Sequence, residues 1–201
     1  MRISSKYIKK QERDLRRTIL AFDINDIRSQ LVGGGSRPSH FQVMITNPFV
    51  PAADIKVPVM CKAASIPGFQ IGKIEVPYLG RRIPIPGDRV WEDWNVTIIN
   101  DEDHIVKDAL EKWSNMMNAF RQNFAQAGAN PNNYKSTGLI TQYSKDKSEL
   151  RTYQMNGIFP IYVAPMDMGW ELSDTIGEYQ VTFAYDELEV VGGKTGDAGG
   201  N

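Results

Sequence analysis

One cysteine and two histidines are the whole supply of thiol and imidazole side chains in this chain of 201 residues. Cys61 has no partner for an internal disulfide, and no Cys/His cluster has the spacing of a zinc site. Core filling is the role left to that thiol. Long apolar runs are missing too: no stretch approaches the ~20 apolar residues that cross a bilayer. The opening MRISSKYIKKQERDLRR lacks the apolar segment of a secretory signal. The sequence therefore predicts no membrane anchor and a product that stays in the cytoplasm where it is made.

Catalytic patterns are equally scarce. An enzyme needs a nucleophile with a base, a carboxylate pair, a metal set or a phosphate cradle. Gly33, Gly34, Gly35, Ser36 and Arg37 are not the GxxxxGK[ST] of a phosphate loop, and they follow a helical stripe, so they read as a linker. Asp101, Glu102, Asp103 and His104 imitate a metal site, but acids at a helix start are expected from the helix dipole alone. His40 and His104 have no Ser or Cys at motif spacing. The reading is of a protein that is not an enzyme and needs no cofactor.

What is present is ordinary folding material, 41% hydrophobic and 23% charged, enough for one sizeable core. The net charge of −1 is unevenly spread. Residues 2–17 hold seven Lys/Arg against Glu12 and Asp14, which is +5 and leaves −6 on the remainder. A basic arm on an acidic body suggests docking on an acidic surface, of a partner or of neighbouring copies. A solvated helix face is the plainer reading.

Leu20, Ile24, Ile27 and Leu31 recur at helical spacing up to Gly33, Gly34 and Gly35, giving a helical N-terminal arm over 1–38. From His40 the period becomes two, and a β domain over 39–191 begins. Strand-like runs are 41–45, 57–63, 69–76, 82–85, 91–100, 139–143, 150–155, 158–163 and 178–189. In 178–189, Tyr179, Val181, Phe183 and Tyr185 share one face of a half-buried strand. In 69–76 the apolar phase slips across Gly72 and Lys73, which predicts a β-bulge. One helix is expected at about 102–124, from Val106, Leu110, Trp113, Met117, Phe120 and Phe124, capped by Asn100 or Asp101. Residues 125–136 read as a surface loop, and 192–201 as a flexible Gly-rich tail. Trp94 and Trp113 sit on core stripes, while Trp91 and Trp170 are undecided.

Residues 61–103, CKAASIPGFQIGKIEVPYLGRRIPIPGDRVWEDWNVTIINDED, are unusual for a soluble monomer. They join long strands to Pro67, Pro77, Pro84 and Pro86, and to the paired Arg81 and Arg82. An extended hairpin with apolar strands has little to bury in its own domain, and its edges invite pairing, so it needs a partner. The candidate contact residues are Phe69, Ile71, Lys73, Tyr78, Arg81, Arg82, Ile83, Asp88, Arg89 and Trp91.

At this segment the chain resembles the tail tube proteins of contractile-tailed bacteriophages. The resemblance rests on Phe41, Gln42, Val43 and Ile45; Cys61, Lys62 and Ala63; Gly87, Asp88 and Arg89; Asp93, Trp94, Val96, Thr97 and Ile98; and Asn100, Asp101, Glu102 and His104. Gln142, Tyr143, Gly157 and Pro160 continue it over roughly residues 36–190. It implies a mainly β fold, an antiparallel β-sandwich or barrel with one flanking α-helix, related to type VI secretion tube proteins. It also implies a virion structural subunit that forms hexameric rings sharing one inner barrel. The rings stack into the conduit for DNA ejection inside a contractile sheath, the hairpin reaching the next ring. The implied partners are further copies of the chain, the tail sheath protein, baseplate tube and tail terminator proteins, and DNA in non-specific transit. The basic arm and the Gly-rich tail lie outside the resemblance, so a baseplate-proximal tube initiator of the same fold is the alternative. A carbohydrate-binding β-sandwich, with Trp or Tyr on a concave face, and a jelly-roll enzyme are the readings from other classes.

Overall fold

The computed structural model of the chain describes residues 24–128 and 130–193. The chain divides into two units, Met1–Arg37 and Pro38–Asn201. In the first, the predicted helical stripe forms helix α1 (Ile24–Gln30), followed by a 3-10 turn at Val32–Gly34. Gly33, Gly34 and Gly35 all take positive φ, a backbone that ends a helix and suits glycine. Leu20, the basic cluster at 2–17 and residues 194–201 lie outside the described residues.

The second unit is built from antiparallel strands. Strand β1 (Phe41–Ile45) pairs with β6 (Ser136–Tyr143), β6 with β7 (Glu149–Val163), and the first part of β7 with β9 (Glu187–Gly193). The last part of β7 pairs with β8 (Glu178–Ala184), β8 with β5 (Trp94–Ile99), and β5 with β2 (Cys61–Ala64). Strand β7 thus runs out of one sheet and into the other. The class is mainly β, as expected, and within one chain the sheets stay open rather than closing into a barrel.

Alternation builds the core. Val43 and Ile45 of β1, Trp94, Val96 and Ile98 of β5, and Tyr179, Val181 and Phe183 of β8 all point inward and are buried. Trp94 and Trp113 flank Phe183 at centroid distances of 5.5 and 6.3 Å. Both indole N–H groups are satisfied, Trp94 donating to the Ser65 carbonyl at 3.0 Å and Trp113 to the Tyr134 carbonyl at 2.7 Å. Gly138 sits where a Cβ would come within 2.8 Å of the Trp94 ring, so β6 passes over that indole only because position 138 has no side chain. Cys61 does fill the core margin, and burial pushes its thiol up to about 11.

The structure corrects several sequence expectations. The run 57–63 is not one strand: helix α2 (Pro51–Met60) ends where β2 begins at Cys61. Pro51 occupies the first turn, where a missing N–H costs nothing. Asn47 builds the entry, its side-chain oxygen accepting from the N–H groups of Phe49 at 2.9 Å and Val50 at 3.1 Å. Its amide nitrogen reaches the Ala109 carbonyl at 3.2 Å and so ties α2 to the next helix.

That helix, α3 (Ile105–Met117), is shorter than 102–124 at both ends, and neither Asn100 nor Asp101 caps it. His104, in the left-handed region at φ 53°, is its N-cap, and Asp101 and Asp103 instead hold the preceding turn. Beyond Met117 asparagine side chains outcompete the helix: Asn115 accepts from Phe120 N–H at 3.0 Å, and Asn118 donates to Asn123 at 2.6 Å. Phe120 and Phe124, expected on the buried stripe, are exposed. The runs 150–155 and 158–163 are one strand that passes through Gly157 at φ 71°. The run 178–189 is broken at Asp186, which turns to meet Lys135 at 2.7 Å.

Candidate assembly surface

The predicted hairpin forms a separate two-stranded sheet of β3 (Phe69–Tyr78) and β4 (Arg81–Trp91). It continues the β2–β5 pair, since β3 follows β2 and β4 leads into β5. Its tip is a two-residue turn in which Leu79 (φ 45°) and Gly80 (φ 78°) both take positive φ, the geometry whose twist matches two antiparallel strands. A bulge is present at the expected level, but its extra residue lies on β4 and not in 69–76. Gly72 faces both Gly87 and Asp88, between the pairs Lys73↔Pro86 and Ile71↔Arg89. A Cβ at Gly72 would lie 3.3 Å from the Asp88 carbonyl, so the close approach suits glycine.

The register sorts the side chains onto two faces. One carries Ile74, Val76, Tyr78, Ile83, Ile85 and Val90, all large, apolar and between 41% and 63% exposed. The other carries Phe69, Ile71, Lys73, Glu75, Arg82, Arg89, Trp91 and the three hairpin prolines. There Glu75 bonds Lys73 at 2.6 Å and Arg82 at 2.9 Å, and these two cations hold its carboxyl below the ordinary carboxylate value, Lys73 contributing more. At the root, the Arg89 guanidinium lies 4.7 Å from the Phe69 ring and 5.2 Å from the Trp91 ring. Trp91 also lies 6.2 Å from Tyr185 of the body.

The ten candidate residues therefore do not form one patch. Tyr78, Arg81 and Ile83 belong to the apolar face, and Asp88 to the bulge. Phe69, Ile71, Lys73, Arg82, Arg89 and Trp91 belong to the charged face. The sequence reading passed over Ile74, Val76, Ile85 and Val90. Their signal was the alternation through KIEVPY and RIPIPG, obscured by prolines that read as strand breakers.

Elsewhere the surface is modest. A shallow groove of about 530 Å³ runs between α3 and the end of β7, lined by Lys107, Glu111, Phe120, Ile161 and Tyr162. Trp170 is fully exposed in the loop before β8, alongside Met168 and Ile176. The acids at 101–103 belong to an ion pair: Lys56 of α2 bonds Asp101 at 2.9 Å and also Asp103, which raises the lysine and lowers Asp103. Among the described residues, no group of three His, Cys, Asp or Glu side chains is placed to hold a metal ion, and no helix is long and apolar enough to cross a membrane.

A two-stranded sheet with an exposed apolar face beside a fully formed body, and no cluster placed to hold a metal ion among the described residues, has the character of a structural subunit, and comparison with known proteins gives the kind. The sequence model of the family described as phage tail tube protein matches residues 36–190. The tail tube protein gp19 of Enterobacteria phage T4 is 30% identical over 158 residues, 78% of this chain and 93% of the relative. The tail tube protein of Serratia phage KSP90 is 25% identical over 167 residues, 81% and 93% of the two chains. Two cryo-EM structures share the fold. A chain of the anti-feeding prophage tube-terminating cap has a TM-score of 0.54 at 18% identity, covering 77% of this chain and 89% of that one. A chain of an extracellular contractile injection system sheath–tube complex has a TM-score of 0.52 at 16% identity, covering 80% and 94%.

The chain belongs to the phage tail tube protein family. It is a structural subunit of a contractile phage tail tube, not an enzyme, and a component of the virion.

Proposed function

We propose that copies of this chain close into hexameric rings and that the rings stack into a hollow tube, with residues 39–191 forming the wall. The N-terminal arm at 1–38 and the Gly-rich tail, expected from 192 but beginning only after β9 ends at Gly193, are appendages to that wall. The observation that carries this reading is the apolar hairpin face from Ile74 to Val90, left in solvent by the single chain. A second copy of the chain is the proposed cover, the hairpin reaching the next ring. Phe69, Ile71, Lys73, Tyr78, Arg81, Arg82, Ile83, Asp88, Arg89 and Trp91 are the proposed contact residues, now joined by Ile74, Val76, Ile85 and Val90.

Ring closure has support in the body. The sheet made of β2, β5, β8 and the end of β7 has four antiparallel strands and, among the described residues, two unpaired outer edges. On its outer side β7 pairs with β6 only up to Ile158, so residues 159–163 are open there. With an even number of strands, copies related by rotation meet antiparallel, β2 of one beside β7 of the next, and closure removes both edges. The tube then serves as a conduit for DNA, and a net-negative lumen, drawn from the −6 of the body, keeps DNA from adhering. Sheath, terminator and baseplate proteins are the proposed further partners, in line with similar chains seen in a sheath–tube complex, a terminating cap and a baseplate.

Negative-stain electron microscopy of the purified chain across a concentration series tests the reading. Rings or hollow rods are expected. Strictly single particles at high concentration would move the assignment to a tube initiator that needs a baseplate template.

A further inference from the structure

We infer that the hairpin is a one-sided pairing device: the outer edge of β3 takes a strand from a second copy of the chain, while prolines and the bulge close the outer edge of β4. The inference rests on the tube reading above.

The argument is one of parity. In a hairpin closed by a two-residue turn with both residues at positive φ, the closing pair exchanges hydrogen bonds, and hydrogen-bonded and open pairs then alternate. Here the closing pair is Tyr78↔Arg81, so Pro77↔Arg82, Glu75↔Pro84 and Lys73↔Pro86 are open pairs. The hairpin base confirms the count, because Gly68, reached by the same even steps along β3, accepts from Glu92 N–H at 3.1 Å. In an open pair the backbone N–H points away from the partner strand. All three prolines therefore fall where no intra-hairpin bond is lost, and each removes a donor from an outer edge.

The two edges do not lose equally. Between tip and bulge, β4 has outward positions at Arg82, Pro84 and Pro86, and two of these three lack an N–H. The extra residue at Gly87 and Asp88 then breaks the spacing before Arg89. Strand β3 has no extra residue, and Phe69, Ile71, Lys73 and Glu75 present four successive outward donors over roughly 20 Å, with only Pro77 blocked. This edge continues the outer edge of β2, at the border of the sheet proposed to join the next copy, and that continuity makes a second copy the occupant.

The matched variants are Glu75→Pro and Arg82→Pro. Each places a proline opposite a resident proline and deletes the Glu75–Arg82 ion pair, Glu75→Pro also removing the exposed Glu75–Lys73 pair, for which Glu75→Gln is the control expected to keep tubes. They differ in which edge loses its N–H. Tube formation by wild type and both variants is read by electron microscopy and pelleting. The expected result is loss of tubes for Glu75→Pro and wild-type yield for Arg82→Pro. Equal behaviour of the two, or the opposite ranking, overturns the inference. Absence of tubes from the wild type contradicts the tube reading itself. A measurement without mutation guards against a misfolded hairpin: in assembled wild-type protein, amide exchange should slow at Ile71, Lys73 and Glu75 and stay fast at Arg82. Protection at Arg82 matching that at Glu75 overturns the inference as well.

Discussion

In β5 and β8 every second side chain is buried against the opposing sheet and the helices, whereas in β3 and β4 the same alternation leaves a whole apolar face in water. The period is identical, so the difference lies in what stands opposite. The body supplies its own cover through α2, α3 and the second sheet. The hairpin has no second layer, and two strands alone cannot make one. Side chains of one type thus contribute folding stability in one region and, on the proposed reading, serve association in the other.

That comparison can be broken most strongly in the core. Trp94→Ala should cost about 3–5 kcal/mol of folding stability, read by urea denaturation of the unassembled chain. Truncating the hairpin tip should leave the same transition almost unmoved while abolishing tubes. Gly138→Ala should cost about 1–3 kcal/mol, because its methyl meets the Trp94 ring and Ile158, neither of which can retreat far in a packed interior. Cys61 sharpens the boundary between the regions. Its raised thiol should label slowly with an alkylating reagent at mildly alkaline pH and rapidly once denaturant opens the body.

The smallest effect belongs to Glu75. A carboxylate whose pKa is lowered on folding adds stability above its unfolded value and loses it as pH falls through the folded one. Since Lys73 and Arg82 lower this group, the hairpin ladder should loosen only in acid below the ordinary carboxylate range. Its exposure keeps the change slight, and added salt should weaken it further. Amide exchange at Ile74 and Ile83 against pH measures it.

Much of this division was legible in the sequence. Period-two runs gave β1, β5 and β8, because alternation is a local consequence of burying one strand face. The apolar slip across Gly72 marked the level of the bulge but not its strand, since Ile71 and Ile74 lie on opposite faces of a regular β3. Helix α2 was not legible: PAADIKVPVM carries a proline in its middle and no clear apolar stripe, and tertiary ties through Asn47 and Ala109 hold it. The overlong α3 had a local signal in Phe120 and Phe124 that asparagine side chains overrode. For the candidate assembly surface, the hairpin was legible as an element but its two faces were not. Sorting residues by face needs the register, and the register depends on the Leu79 and Gly80 turn and the bulge together.

The central claim is that the apolar hairpin face is an assembly surface rather than a tolerated exposure. Sedimentation velocity of the wild type and of an Ile83→Asp, Ile85→Asp double variant, over one concentration range and at matched folding stability, tests it most directly. The account predicts large assemblies for the wild type and an unassembled but fully folded variant. A variant that assembles as the wild type does would contradict it.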